Sequence, residues 1–163
     1  MSKSDAELEA GIVSNVDQYG CSIMFVFDPD EGKADFAYSI GFPKSLAQPE
    51  VIVFGLSRSL MLSMINETHR QCAEEELKLQ DGVVIGDLLE GFDCIVREVP
   101  KDRIESEYFG SAMWYRQAIM GEEMDRAFQI FWPGAATGLF PWDASADPEI
   151  VGPQSELLEE LRT

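Results

Sequence analysis

The chain has 163 residues, 30 acidic and 12 basic, with one histidine, three cysteines and a formal net charge of −18. A surface this anionic disfavours direct DNA or RNA binding, which needs cations to displace phosphate counterions, and disfavours an anionic membrane leaflet. A single imidazole removes every zinc site built on two histidines.

Leu8, Ile12, Val16 and Tyr19 recur at helical spacing, which predicts an opening helix over residues 4–19 stopped by Gly20. Residues 21–27 and 35–42 read as two strands of a hairpin, joined by a proline- and glycine-bearing turn at 28–33. Residues 43–49 read as loop. The apolar run at 51–54 suits a strand covered on both faces. Ser57 or Ser59 can cap the next helix, whose face runs through Met61, Ile65, His69 and Cys72. Strands are expected at 83–85, 92–99 and 128–132, with a helix on the Ile104, Tyr108, Ala112, Tyr115, Ile119 face before the last of them. The end reads as an aromatic loop and a polar tail over 144–163, with a short helix at 155–162. This order predicts a single α+β domain over residues 1–163, an antiparallel or mixed sheet with helices packed on it.

The charge is spread evenly: residues 1–81 carry 14 acidic and 6 basic groups, residues 82–163 carry 16 and 6. That pattern reads as a solubility background, with docking to a basic partner as the sharper alternative. Cys21, Cys72 and Cys94 are odd in number, far apart and set among apolar residues, as core thiols are. The N-terminus lacks the apolar stretch of a signal peptide, and no run reaches the roughly 18 apolar residues of a membrane span. A cytoplasmic location is the expectation.

Three carboxylates at Asp28, Asp30 and Asp35 superficially suggest a calcium loop, but Gly32, Lys33 and Ser39 occupy the fifth, sixth and twelfth positions, where an oxygen ligand, glycine and glutamate belong. A hairpin turn is the better reading, and no metal or cofactor is expected. His69 reads as a structural histidine on an apolar helix face, or as a general base with Cys72 three residues on. Residues 129–143 hold two tryptophans, two prolines and two glycines, which fix an irregular loop. It is either a plug on the sheet or one wall of a recognition cleft, with Asp143 as a polar member.

Tyr38-Ser-Ile-Gly41-Phe42, Pro49-Glu50 through Gly55-Leu56, Gln129-Ile-Phe-Trp132-Pro133 and Gly138-Leu-Phe140-Pro141-Trp142-Asp143 together resemble a bacterial domain-of-unknown-function family, number 4262. The resemblance spans about residues 12–143. It leads one to expect aspartate after Trp132-Pro133, where this chain has Gly134. The family name implies no activity. If a pocket exists, Tyr38, Glu50, His69, Gln129 and Asp143 are the polar groups best placed to line it, with Trp132 and Trp142 as apolar walls. Glu50 also reads as a strand-start carboxylate paired to Lys44 or Arg58.

Three functions are expected. The first is a non-catalytic ligand-binding or protein-interaction domain, with Tyr38, Gln129, Trp132 and Trp142 on the ligand. Its partner is a protein or small molecule, and dimerisation through a sheet edge or the aromatic loop is open. The second is a small hydrolase-like enzyme using His69 with Glu50 or Asp143 as acid or base. The third is an acidic inhibitor or immunity-type protein for a basic partner.

Overall fold

The computed structural model describes residues 3–27, 29 and 33–161. Most of the acidic turn at 28–33 lies outside the described residues, and so does the calcium-loop reading of Asp28, Asp30 and Gly32.

Helix α1 (Lys3–Tyr19) buries Ile12 and Val16, whereas Leu8 and Tyr19, expected on the same face, are 48% and 65% exposed. Only the middle turns of the helix lie against the sheet. It stops where expected, at Gly20, whose N–H donates to the Val16 carbonyl at 2.9 Å. Strand β1 (Ser22–Val26) pairs antiparallel with β2 (Phe36–Ile40), and β2 pairs antiparallel with β3 (Glu50–Phe54). Helix α3 (Arg58–Glu74) is capped by Ser57, whose hydroxyl accepts the Leu60 N–H.

A hairpin of β4 (Val84–Leu89) and β5 (Phe92–Glu98) leads to α4 (Ser106–Ala118) and β6 (Ala127–Phe131). The order across the sheet is β1-β2-β3-β6-β5-β4. β3 and β6 are parallel, with Glu50 opposite Ala127, and the other neighbours are antiparallel. This is the mixed sheet of an α+β domain.

Alternation along the central strands sorts the core into two layers. Ala37, Val51, Val53, Phe128 and Ile130 face Met61, Met64 and Ile65 of α3. Phe36, Tyr38, Ile40, Ile52 and Phe54 face α1 and α4 through Ile12, Val16, Phe109, Ala112 and Tyr115. All five residues of β3 and of β6 are buried, as a strand covered on both faces requires.

Two segments differ from the sequence reading. Residues 43–49 are not all loop, because α2 (Phe42–Leu46) occupies most of them. Pro43 has the φ a first helical turn needs, and left-handed residues at Gly41 and Ala47 bound the helix. The C-terminal helix lies earlier than residues 155–162, at α5 (Pro148–Gln154), again with a proline in its first turn. Residues 155–161 are irregular apart from a short 3-10 turn at Glu159–Leu161. This end of the chain is less polar than it reads: Leu157, Leu158 and Leu161 are buried, the last two against Phe131 with Phe140 and Trp142 beside them. Among the described residues no helix is long and apolar enough to cross a membrane.

Candidate functional site

Glu50 opens β3 and is 2% exposed. Its Oε2 accepts the Gly41 N–H at 2.7 Å, and its Oε1 accepts the Ser39 hydroxyl at 2.7 Å and the Phe42 N–H at 3.2 Å. Ser39 Oγ in turn accepts the Val51 N–H at 2.9 Å. The carboxylate thus satisfies the orphan amides at the start of α2, which Gly41 lacks a side chain to cap. Burial pushes the Glu50 carboxyl up to about 7, against the pull of these three donors and of the Arg116 charge. Its partners are Ser39, Gly41 and Phe42 rather than the expected Lys44 or Arg58. Lys44 faces Asp17 at 3.9 Å instead.

Beside this clamp, where the parallel strands β3 and β6 begin, lies a hollow of about 360 Å³. Pro43 and Pro49 form one side, and Arg116, Met120, Glu122, Met124, Asp125 and Arg126 come from the end of α4 and the segment leading into β6. Arg116 Nη2 reaches Glu122 at 2.7 Å and Arg126 reaches Glu98 at 3.3 Å, so each guanidinium has a carboxylate at its flank. Gln48 also lines the hollow, but its amide is tied to Leu77 and Leu79. Behind Arg116 the Tyr115 hydroxyl is buried and, among the described residues, unpartnered; burial and the charges of Asp17 and Glu50 push it up.

The other expected site residues take separate places. The Tyr38 hydroxyl accepts the Ser111 N–H at 3.0 Å, joining β2 to α4. His69 is half-buried with its ring edge on Phe42, centroids 5.6 Å apart, and its Nε2 lies 3.4 Å from Ser45 Oγ. Ser45 already donates to the Gly20 carbonyl at 2.6 Å. A Cβ on Gly20 would stand 2.6 Å from His69 Nε2, so glycine there lets the helix end meet the ring. Burial holds the imidazole below the usual histidine range and pushes the Cys72 thiol up to about 11. Gln129 Nε2 donates to the Gln154 carbonyl at 3.1 Å, and Trp132 Nε1 to the Phe54 carbonyl at 2.7 Å. Trp142 stacks on Phe140 at 5.2 Å, meets Phe131 edge-on at 5.2 Å and carries the Arg97 guanidinium at 5.1 Å. Asp143 Oδ2 accepts the Phe140 N–H at 2.8 Å, closing its own turn. Glu50 and His69 meet the same segment, one through the Phe42 amide and one through its ring. Asp143 belongs to the aromatic loop.

Residues 15–147 match the family described as a domain of unknown function, DUF4262. The chain belongs to the DUF4262 family. No curated protein and no solved structure matches it.

The geometry gives the segments that carry the DUF4262 resemblance a physical reading in this chain. Three of the four join two elements: Tyr38 ties β2 to α4, Glu50 ties β3 to α2, and Trp132 ties the end of β6 to the end of β3. Gly134 obeys the same logic. A Cβ there would stand 3.2 Å from both Ile150 Cγ1 and Thr137 Oγ1, so α5 occupies the space a side chain would take. Sequence reasoning did not single out Arg116, Asp125 or Arg126. The one signal was the charge-rich stretch 122–126, which says nothing of a hollow until β3 and β6 are known to be neighbours.

Proposed function

We propose that this protein is a non-catalytic ligand-binding domain whose hollow beside Pro49 holds a small zwitterion. The supporting observation is the mixed wall of that hollow. Arg116 and Arg126 face it together with Glu122 and Asp125, over apolar surface from Pro43, Pro49, Met120 and Met124. A purely anionic ligand would meet Glu122, Asp125 and the field of a chain carrying −18, while a purely cationic one would meet two guanidinium groups. A molecule with both charges, of amino-acid size, satisfies both sets, and about 360 Å³ suits that size. A cytoplasmic setting belongs to the same reading and is supported by the free thiols Cys21, Cys72 and Cys94, which a reducing compartment preserves.

The test is an NMR titration of the protein with free L-amino acids. Saturable shifts confined to residues around Arg116 and Arg126 are expected, at least tenfold weaker in Asp125→Asn and Arg126→Gln, since each removes a charge-assisted contact of about 1.5–3 kcal/mol. Saturation by none of them, or affinities untouched by both substitutions, rejects the reading.

A further inference from the structure

A second hollow, of about 240 Å³, opens between the ends of β1 and β2 and the start of α4. Phe36, Phe54 and Tyr108 line it, with centroid separations of 5.1 Å (Phe36–Phe54), 5.7 Å (Phe36–Tyr108) and 6.1 Å (Phe54–Tyr108). Phe27, 67% exposed, stands at its rim. Among the described residues the acidic groups lining it are Glu107 and Glu156. We infer that this hollow binds a small organic ammonium ion, seated on the Phe36, Phe54 and Tyr108 rings and neutralised by Glu107 and Glu156.

Four observations carry the inference. Aromatic rings attract a cation through their negative faces, and the attraction is largest for a weakly hydrated ammonium on desolvated rings. Glu156 is held in place, because the Tyr108 hydroxyl donates to its Oε2 at 3.0 Å. Burial, with the carboxylate's field, pushes that hydroxyl up to about 12, as expected where negative charge gathers. Lys33 Nζ stands 4.0 Å from Glu107, an exposed pair of the kind that contributes little and yields to a competing cation. Arg103 lies against Tyr108 at 5.7 Å, but it is engaged by the Glu156 carbonyl and by Glu105 and does not line the hollow. Among the described residues, two carboxylates therefore face one displaceable ammonium. The volume lies below the range of about 300–1,000 Å³ typical for larger ligands, which limits the guest to a small head group. The net charge of −18 raises the local concentration of any cation.

This site does not depend on the hollow beside Pro49. The test is an NMR titration of the whole chain with choline and, separately, with the uncharged isostere in which carbon replaces its nitrogen. Choline is expected to saturate at millimolar concentration with shifts at Phe36 and Tyr108, and the isostere to bind at least about tenfold more weakly. Glu107→Gln with Glu156→Gln keeps an acceptor for Tyr108 and is expected to weaken choline at least about tenfold. Lys33→Gln, at an exposed position, is expected to tighten it severalfold. The inference is overturned if the isostere binds as well as choline or if choline fails to saturate by about 50 mM. Unchanged affinity in the double variant overturns it too. Should that variant not fold, a Lys33→Gln protein that binds choline no better than the native chain overturns it instead.

Discussion

The side-chain amide of Gln154 pairs with the backbone of Trp132 as a neighbouring strand would. The Trp132 N–H donates to Gln154 Oε1 at 2.9 Å, and Gln154 Nε2 donates to the Trp132 carbonyl at 3.0 Å. Both residues are buried, and β6 has ended one residue earlier, at Phe131. Without Gln154 these two backbone groups would sit in the core unpaired. The same amide also donates to the Ile150 carbonyl at 3.1 Å, so the pairing fixes α5 to the end of the sheet.

Gln154→Ala is therefore expected to cost about 2–4 kcal/mol, since it strands a buried donor and a buried acceptor at roughly 1–3 kcal/mol each, partly offset by relaxation. Gln154→Glu keeps an acceptor for the Trp132 N–H but sets a buried carboxylate oxygen against the Trp132 and Ile150 carbonyls, and at neutral pH it should cost at least as much as the alanine variant. Urea denaturation measures both. A loss below about 1 kcal/mol for the alanine variant would mean that water replaces the amide.

Gly134 supplies a packing test one turn earlier on the same helix. Gly134→Ala places a methyl 3.2 Å from Ile150 Cγ1 and Thr137 Oγ1, closer than ordinary contact. The expected loss is about 1–2 kcal/mol, as for other overpacked cores. Ile150→Ala removes both Cγ1 and Cδ1 from the crowded side, so Gly134→Ala combined with Ile150→Ala should be less destabilised than the sum of the two single variants. Thermal melts of the four proteins check the coupling; strict additivity would show that Ile150 is not what crowds the site.

Elements whose information is local were legible in the sequence. The apolar run of β3, the alternation of Cys94 and Val96 in β5 and the stop at Gly20 stem from period and turn chemistry alone. Helix α2 was not legible, because the group that satisfies its first amides is Glu50, eight and nine residues further along. Helix α5 was not legible either, because its buried Gln154 is polar and is matched by the Trp132 backbone, a partner periodicity does not reveal. At the sequence level Glu50 is a site candidate or a surface pair, and the fold instead gives it a buried capping role. Both hollows depend on parallel pairing of β3 with β6 or on side chains from β1, β2, β3 and α4 meeting, which are relations between distant segments.

Glu50 makes stability depend on pH in an unusual direction. Its folded carboxyl titrates at about 7 and an ordinary one at 4.5. Below 4.5 the group is neutral in both states, and its contribution is fully present. Between 4.5 and 7 the folded chain keeps a proton that the unfolded chain releases, so stability falls as pH rises and levels off above 7. The span corresponds to about 3 kcal/mol. Glu50→Gln abolishes this slope but sets an N–H donor against donors at Gly41 or Phe42, so it should be less stable than the native protein at about pH 5. Denaturation of the two proteins at about pH 5 and about pH 8 is the check: the difference between them should shrink at the higher pH. A constant difference would show that Glu50 stays ionised throughout.

His69 shifts the opposite way within the same pH interval. Burial against Phe42 holds its imidazole below the usual 6.5, while the Gly20 carbonyl opposes the shift. The unfolded chain then takes up a proton before the folded one does. The stability contributed by His69 is present above 6.5 and is lost as pH falls through the folded value. As the chain has one histidine, its ring protons give a single NMR titration curve, and the midpoint is expected below 6.5. Because Glu50 and His69 both contact Phe42, the two titrations can be compared in one protein. Glu50 still holds its proton in the range below 6.5 where His69 titrates, so Glu50→Gln removes no charge there and the His69 midpoint should stay where it is. An upward movement would mean that the imidazole faces a different environment from the Phe42 ring edge and the Gly20 helix end.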